Sequence, residues 1–262
     1  MTASPILESV LKRDRALVLA GLAGVSVLAW VYLVDLALGM RDMSGMGSAL
    51  VMARADAWSP LDAIMMFVMW WVMMVGMMVP SAAPMILLFA AINRKKRADG
   101  KPFVPTGLFA LAYVAVWAGF SLAAVLAQWG MQSAGLLSPA MQSTNAWLGG
   151  GVLIAAGLYQ WTPIKDACLK NCQTPFGFIM THWREGSGGA LRMGLHHGAY
   201  CVGCCWFLMA LLFVGGVMNL LWVAGLAIFV FAEKLGPRGP LVPRLAGTLL
   251  TAWGVWVLAA GV

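Results

Sequence analysis

Long apolar segments alternate along the chain with shorter segments that hold most of its charged residues. Apolar segments of this length predict helices that cross a lipid bilayer, because about 20 helical residues span its hydrocarbon core. We therefore predict an all-α, polytopic transmembrane helix bundle of about seven spans, forming a single domain over residues 1–262. The predicted spans cover about residues 16–39, 62–91, 106–130, 146–163, 192–214, 216–233 and 243–262.

The composition supports this interpretation. Hydrophobic residues make up 61% of the chain and charged residues only 10%, whereas soluble domains are roughly a quarter charged. A water-soluble protein is therefore excluded. Lys12, Arg13 and Arg15 precede the first apolar segment as they would in a signal peptide, but this segment is too long and no small-residue cleavage pattern closely follows it. We predict that it is a membrane anchor.

The basic residues predict the orientation of the spans. Cytoplasmic loops of membrane proteins retain lysine and arginine, whereas exported loops are poor in both. Of the 17 basic residues, only Arg41 and Arg54 fall on the external side of the predicted topology, and each has an acidic residue close by. The N-terminus is therefore predicted to be cytoplasmic. Since the net charge of +7 follows from this topology, we expect the lipid bilayer as a partner and no nucleic acid.

The second predicted span contains eight of the 19 methionines of the chain. On a helix, Met69, Met73 and Met77 share one face, because they are spaced by four residues. Methionine is often a flexible apolar filler. A continuous face of thioethers also fits a path for Cu(I), because sulfur is a soft ligand that suits this ion. Met65 and Met66 share the same arc of about 120° as this face. Met74, Met78 and Met85 lie on an adjoining arc, and Met40, Met43 and Met46 precede the span on the external side.

Pro80 and Pro84 interrupt the same span. A proline has no backbone N–H, so the carbonyl groups of Gly76 and Pro80 lose their helical donors. Such a break is tolerated at membrane depth where other groups satisfy the carbonyls. The segment beside Ser81 is therefore either a packing kink or the lining of a site.

All five cysteines lie in the second half of the chain. Cys168 and Cys172 belong to a segment that we predict to be cytoplasmic, Lys165–Leu191, and their i, i+4 spacing would turn both thiols to one side of a helix. They could hold one metal ion between them or act as a dithiol.

The second cysteine cluster lies within the fifth predicted span, in the sequence HHGAYCVGCCWFLM that begins at His196. At 100° per residue, one arc of about 140° contains most of the sulfur and imidazole groups, and His196 points away from it. At 1.5 Å per residue these side chains would lie near the bilayer midplane. The predicted metal ligands on this arc are His197, Cys201, Cys204, Cys205 and Met209.

From the outside inward, the predicted order of ligands is surface methionines, a methionine face, a midplane Cys/His/Met group and a cytoplasmic cysteine pair. Neutral thioethers hold Cu(I) weakly and thiolates hold it tightly, so ligand strength increases inward. This order is what we expect of a relay for a soft monovalent ion. The predicted cargo is Cu(I), and a copper chaperone or a larger membrane complex is the expected protein partner.

Three stretches and one dipeptide carry a resemblance to a known family. They are MMVGMMVPSAAPM from Met73, YQWTPIKDACLKNC from Tyr159, HGAYCVGCCWFLMALLFVGGVMN from His197, and Glu233-Lys234. In these segments the chain resembles a bacterial family known as predicted metal-binding integral membrane proteins of unknown function, over roughly residues 60–240. The resemblance implies a polytopic fold with a metal site, and hence a multi-pass protein of the bacterial cytoplasmic (inner) membrane. The spacing of Met69, Met73 and Met77 is also similar to the MxxxM of eukaryotic copper uptake channels.

Two alternatives compete with a copper carrier that is not an enzyme. In a membrane thiol–disulfide oxidoreductase, the two cysteine clusters would pass electrons across the bilayer. That function would leave the methionine face without a role. In a structural subunit of a membrane complex, the cysteines and methionines would only fill space.

Overall fold

The computed structural model describes residues 5–44, 58–100, 103–138, 141–236, 239 and 241–261. The described chain is helical, apart from an isolated bridge between Leu137 and Ser143. Its helices are α1 Pro5–Ser44, α2 Pro60–Ala98, α3 Thr106–Ser133, α4 Ala146–Tyr159, α5 Pro163–Gln173, α6 Pro175–His182, α7 Gly186–Ala210, α8 Leu212–Gly215, α9 Leu220–Leu235 and α10 Leu241–Ala260.

Side-chain caps define the starts of several helices. Ser59 and Asp62 form a reciprocal capping box at the start of α2, which satisfies two backbone N–H groups that have no helical partner. Asn145, Thr162 and Asn219 accept a backbone N–H at the starts of α4, α5 and α9. Local sequence therefore determines where these helices begin.

Helix α2 extends along much of the molecule. Trp70 packs on Phe213 near one end of α2, with ring centroids 5.2 Å apart. Near the other end, Nζ of Lys96 lies 2.6 Å from Oε1 of Glu185. Because α1, α3 and α9 all pack against α2, this helix forms the centre of the bundle.

Three consecutive helices, α4, α5 and α6, run antiparallel to the single helix α7. The hydroxyl of Tyr159 donates a hydrogen bond to the carbonyl of Gly203 at 2.5 Å. Further along the chain, the ring of Phe178 lies 5.3 Å from that of His197. From α4 to α6 the residue numbers increase, whereas the residue numbers of their contact partners in α7 decrease. The path is interrupted between Tyr159 and Pro163, so α5 is a separate short helix beside the middle of α7.

Among the residues that the structure describes, five helical segments are long and apolar enough to cross a membrane: Arg15–Gly39, Pro60–Ala98, Thr106–Ser133, Gly186–Gly215 and Leu241–Ala260. The predicted spans at 146–163 and 216–233 correspond to α4 and α9, which have only 14 and 16 residues. A helix needs about 20 residues to cross the hydrocarbon core. The difference arises because apolar residues continue past the points at which these two helices end.

Lys165, at the start of the predicted cytoplasmic stretch Lys165–Leu191, lies in the interior of the structure. Lys165 is fully buried, with 0% of its side chain exposed, and α5 packs along α7. The sequence pattern treats a lysine as solvent-exposed, but an ion pair allows this one to enter the interior. Lys165 is therefore a buried, ion-paired residue and not the solvent-exposed loop residue that the charge pattern assumes.

The boundary between the predicted spans at 192–214 and 216–233 coincides with a break between helices α8 and α9. Helix α8 ends at Gly215, and Gly216 has a positive φ of 91°, which glycine adopts without a steric penalty. Asn219 then caps α9, and the indole of Trp222 covers Gly215 so closely that no side chain would fit there.

Glycines bring α4 and α10 into backbone contact. A Cβ atom at Gly157 would lie 2.7 Å from the carbonyl oxygen of Gly247, and one at Gly254 would lie 2.8 Å from that of Gly150. Gly150 and Gly157 are seven residues apart on α4, and Gly247 and Gly254 are seven residues apart on α10. The two glycines of each helix therefore lie on the same face. This is the close packing through small residues that is common between membrane helices.

Candidate metal centre

The α7 ligands predicted from the sequence lie on the buried face of that helix. Cys201, Cys204 and Cys205 are each 1% exposed, His197 is 2% exposed and Met209 is fully buried. The period of the helix explains the common face, because residues three or four apart project in similar directions.

The thiols of Cys204 and Cys205 point toward their own helix backbone. Their Sγ atoms donate to the carbonyl oxygen of Cys201 at 3.1 Å and 2.9 Å. All five cysteines are free thiols. Hydrogen bonds to the helix therefore hold two thiols that a rotation about χ1 would release toward the interior.

Helix α5 brings its cysteines to the same place. Cys172 approaches the side chains of both Cys201 and Cys204. Cys168 contacts α7 at Gly203, where an added Cβ would lie 2.7 Å from its Sγ atom. Sequence spacing predicts two separate cysteine sites, whereas the structure brings both clusters together. The reason is the break after Tyr159, which turns α5 along α7.

A buried lysine completes the centre. Nζ of Lys234 lies 2.9 Å from Sγ of Cys201, 3.1 Å from Oγ of Ser81 and 3.8 Å from Sδ of Met78. The hydroxyl of Tyr113 lies 3.1 Å from the same Cys201 sulfur. Helices α2, α3, α7 and α9 therefore each contribute one or more polar or sulfur groups to one buried cluster.

The proline-containing part of α2 lines this cluster. The hydroxyls of Ser81 and Tyr113 both donate to the carbonyl of Met78, at 2.9 Å and 3.2 Å. Helix α2 continues through Pro80 and Pro84. Of the two interpretations of this segment, the structure favours the lining of a site.

The methionine face of α2 is largely internal. Met69, Met73 and Met77 are 3%, 1% and 2% exposed, whereas Met65, which shares their predicted arc, is 57% exposed. Met78, on the adjoining arc, is the methionine whose thioether lies beside Lys234, and Lys234 in turn contacts Cys201. The side chains of Met40, Met43 and Met46 lie outside the described residues.

His197 lies beside the cluster in a ring of aromatic side chains. Its imidazole is 5.8 Å from the ring of Tyr113, measured between centroids, and it also neighbours Phe109 and Phe178. Its buried Nδ1 atom has no hydrogen-bond partner within the described part of the chain. Buried polar atoms are normally paired, so this nitrogen has unused capacity as a ligand.

A second buried charge pair lies next to the cysteines. Nζ of Lys165 is 2.9 Å from both carboxylate oxygens of Glu233, with exposed fractions of 0% and 2% for the two side chains. The side-chain amide of Gln173 donates to the backbone carbonyl of Glu233 at 2.7 Å. Helix α5 is thus joined to α9 at both of its ends.

Sequence reasoning missed three residues of this region: Tyr113, Lys165 and Lys234. The available signal was charge. A lysine inside or beside an apolar segment is costly to bury and usually has a partner and a function. Tyr113 gives no such signal, because a tyrosine in an apolar helix is ordinary.

The centre offers soft donors in an apolar setting. The five thiols of α5 and α7 and the thioether of Met78 suit Cu(I) better than a hard cation. In the region that the structure describes, no three His, Cys, Asp or Glu side chains are already arranged around a common point for a metal. For these side chains to hold a metal ion, thiols such as those of Cys204 and Cys205 would first have to rotate away from the helix backbone.

Comparison with known proteins identifies the family of the chain. No curated protein and no solved structure matches the sequence. The profile of one family, PpoB2, described as a copper chaperone, matches residues 67–257. This range covers more than half of the chain and includes the methionine face, both cysteine clusters and Lys234. The chain therefore belongs to the PpoB2 copper chaperone family.

Proposed function

We propose that this protein is an integral membrane copper carrier that holds Cu(I) in the interior of its helix bundle and passes it to a partner protein. It is not an enzyme in this proposal, because copper leaves as it arrived. The observation that carries the proposal is the packing of α5, the helix of Cys168 and Cys172, against the buried cysteine face of α7, with Cys168 at Gly203 and with Lys234 between Cys201 and the thioether of Met78.

Cu(I) is the form of copper that fits these groups. Thiolate and thioether sulfur prefer this soft monovalent ion. The ammonium of Lys234 lies against Cys201, so two thiolates, one Cu(I) and one ammonium have no net charge. A neutral assembly avoids most of the large cost of placing charge in an apolar interior.

Membrane insertion is supported by the distribution of apolar side chains. Helix α3 exposes Leu111, Leu122 and Leu126, which are 61%, 53% and 59% accessible, and buries Tyr113 and Gln128. Large exposed apolar surfaces mark contact with lipid or protein. A multi-pass protein of the bacterial cytoplasmic membrane would meet lipid with these leucines and keep its polar groups inside.

Copper transfer follows from the sequence of donors. Met69, Met73 and Met77 form the buried thioether face through which Cu(I) reaches Met78. The ion then exchanges to the stronger thiolate ligands, displacing the hydrogen bonds of Cys204 and Cys205 to the α7 backbone. Delivery within the membrane or across it ends at a partner that binds Cu(I) more tightly.

Metal analysis of the detergent-purified protein under reducing conditions tests this function. We expect close to one Cu(I) per chain in the wild type, and lower Cu(I) content in Cys201→Ser and Cys204→Ser. Serine is close to cysteine in size, so both variants should keep the wild-type thermal unfolding temperature to within a few degrees. Met180→Leu is a suitable control, because Met180 is 68% exposed and does not belong to the buried methionine face. Equal copper content in the wild type and in a variant lacking Cys201, Cys204 and Cys205 would overturn the proposal.

A thiol–disulfide oxidoreductase is the second candidate, and the approach of Cys172 to Cys201 favours it. It predicts a reversible disulfide between α5 and α7, visible as a change in thiol alkylation. The copper content would then be unaffected by Cys201→Ser.

A further inference from the structure

Helix α5 is a short helix, and the helical path is interrupted at both of its ends. It has 11 residues, with Thr162 as its N-cap after the turn that ends α4 and Thr174 as its C-cap immediately before Pro175. A segment inside a longer continuous helix is held in register by the helical residues that precede and follow it. Helix α5 lacks that restraint, so its position along α7 must be determined by side-chain contacts.

Adjacent residues of α9 contact two different cysteine helices. The carboxylate of Glu233 accepts two hydrogen bonds from Lys165 of α5. The ammonium of Lys234 lies against Cys201 of α7. Neighbouring residues on a helix point about 100° apart, so the end of α9 can reach toward α5 and α7 at once.

The contact between α5 and α9 is directional. Two oxygens of one carboxylate bind the same ammonium, and Gln173 binds the backbone of the same residue from the opposite end of α5. Because both charges are buried, a shift of α5 by one turn would leave each of them without a partner, which is strongly unfavourable. Apolar contacts alone would tolerate such a shift far better.

We propose that Lys165 and Glu233 are positioning residues that hold α5 at the register where Cys172 meets Cys201 and Cys204. Their effect on copper rests on the function proposed above. Their effect on the distance between the thiols does not. In this role the ion pair determines how many helices contribute sulfur to one Cu(I): with it, α5 and α7 both contribute, and without it, α7 alone.

The thiol distance can be measured without metal. In a variant that keeps only Cys172 and Cys201, diamide oxidises the two thiols to one disulfide and is itself reduced to the hydrazine. The rate of this reaction reports how often the sulfur atoms meet. We expect Glu233→Gln to slow it, and to weaken Cu(I) binding in the otherwise unaltered protein, each by about tenfold or more, as is usual for residues that orient metal ligands.

Reversal of the pair provides the rescue. The double variant Lys165→Glu/Glu233→Lys keeps one positive and one negative side chain at the same two sites, so disulfide rate and Cu(I) affinity should both return toward wild type. X-ray absorption should show fewer sulfur ligands on Cu(I) in Glu233→Gln than in the reversed variant. Glu185→Gln is the matched control. It removes a carboxylate of an exposed ion pair with Lys96 and should change neither quantity.

Glu233→Gln leaves Lys165 buried without its counter-charge and for that reason could fail to fold. The apolar pair Lys165→Met/Glu233→Leu avoids this, because replacing a buried ion pair by apolar side chains usually preserves stability. If the reversed and apolar variants form the disulfide at the same rate, the positioning role is overturned. A different result would separate the two proposals. If the disulfide forms quickly with the native Lys165–Glu233 pair and slowly with the apolar pair, but the wild-type protein binds no Cu(I), the copper function fails and the positioning role stands.

Discussion

The ammonium nitrogen of Lys234 lies 2.9 Å from the sulfur of Cys201, in the interior of the helix bundle. Lys234 is 4% exposed and its other neighbours are the hydroxyl of Ser81 and the thioether of Met78. A cation in this position favours a negatively charged sulfur beside it. The geometry therefore connects a residue of α9 directly to the chemistry of α7.

Lys234→Met is expected to weaken Cu(I) binding by about tenfold, because a hydrogen bond to a charged group contributes roughly 1.5–3 kcal/mol. Methionine keeps the length and the apolar stem of the side chain. Competition with a coloured Cu(I) chelator measures the change. Lys96→Met is the control, because Lys96 pairs with Glu185 at the molecular surface. Unchanged affinity in Lys234→Met would remove the charge argument.

Replacing Met69, Met73 and Met77 together by leucine is expected to lower copper delivery in cells while leaving the protein folded. Volume-conserving apolar substitutions usually cost less than about 1.5 kcal/mol each. Cellular copper uptake, compared at equal protein level, measures the effect. Met65→Leu with Met180→Leu is the control, since both side chains are more than half exposed. Wild-type copper uptake in the triple variant would show that this face is only packing.

Gly157→Ala is expected to destabilise the protein by about 1–3 kcal/mol, because a Cβ there would lie 2.7 Å from the backbone of Gly247. Gly151→Ala is the matched control on the same helix. A Cβ at Gly151 meets nothing within 4 Å, and alanine is the better helix former, so stability should hold or rise. Thermal unfolding in detergent measures both. Equal melting temperatures would mean that α4 and α10 separate easily.

Reporter fusions test the orientation. The basic residues predict an external location after residues 54 and 140 and a cytoplasmic location after residues 97 and 185. Alkaline phosphatase activity reports the first pair and green fluorescence the second. An external residue 185 would contradict the predicted alternation of spans.

Hydrophobic pattern alone predicts an all-helical chain and the buried face of α7 that carries Cys201, Cys204 and Cys205. Both follow from local rules, since helical period determines which side chains share a face. The approach of Cys172 to that face could not be predicted. It depends on the interruption of the helix after Tyr159 and on an ion pair between two residues that lie 68 positions apart in the sequence. A contact between residues far apart in sequence, such as that of Lys165 with Glu233, produces no periodic pattern in the sequence from which it could be predicted.

The glycine contacts between α4 and α10 have a mechanical consequence. Two helices whose backbones touch at Gly150, Gly157, Gly247 and Gly254 have almost no freedom to slide or rotate against each other, because either motion drives a carbonyl into the facing chain. We expect α4 and α10 to move as one rigid body. A motion that opens the thiols to a receiving protein would then displace α4 only together with α10, and the turn at residues 160–162 separates α5 from that body.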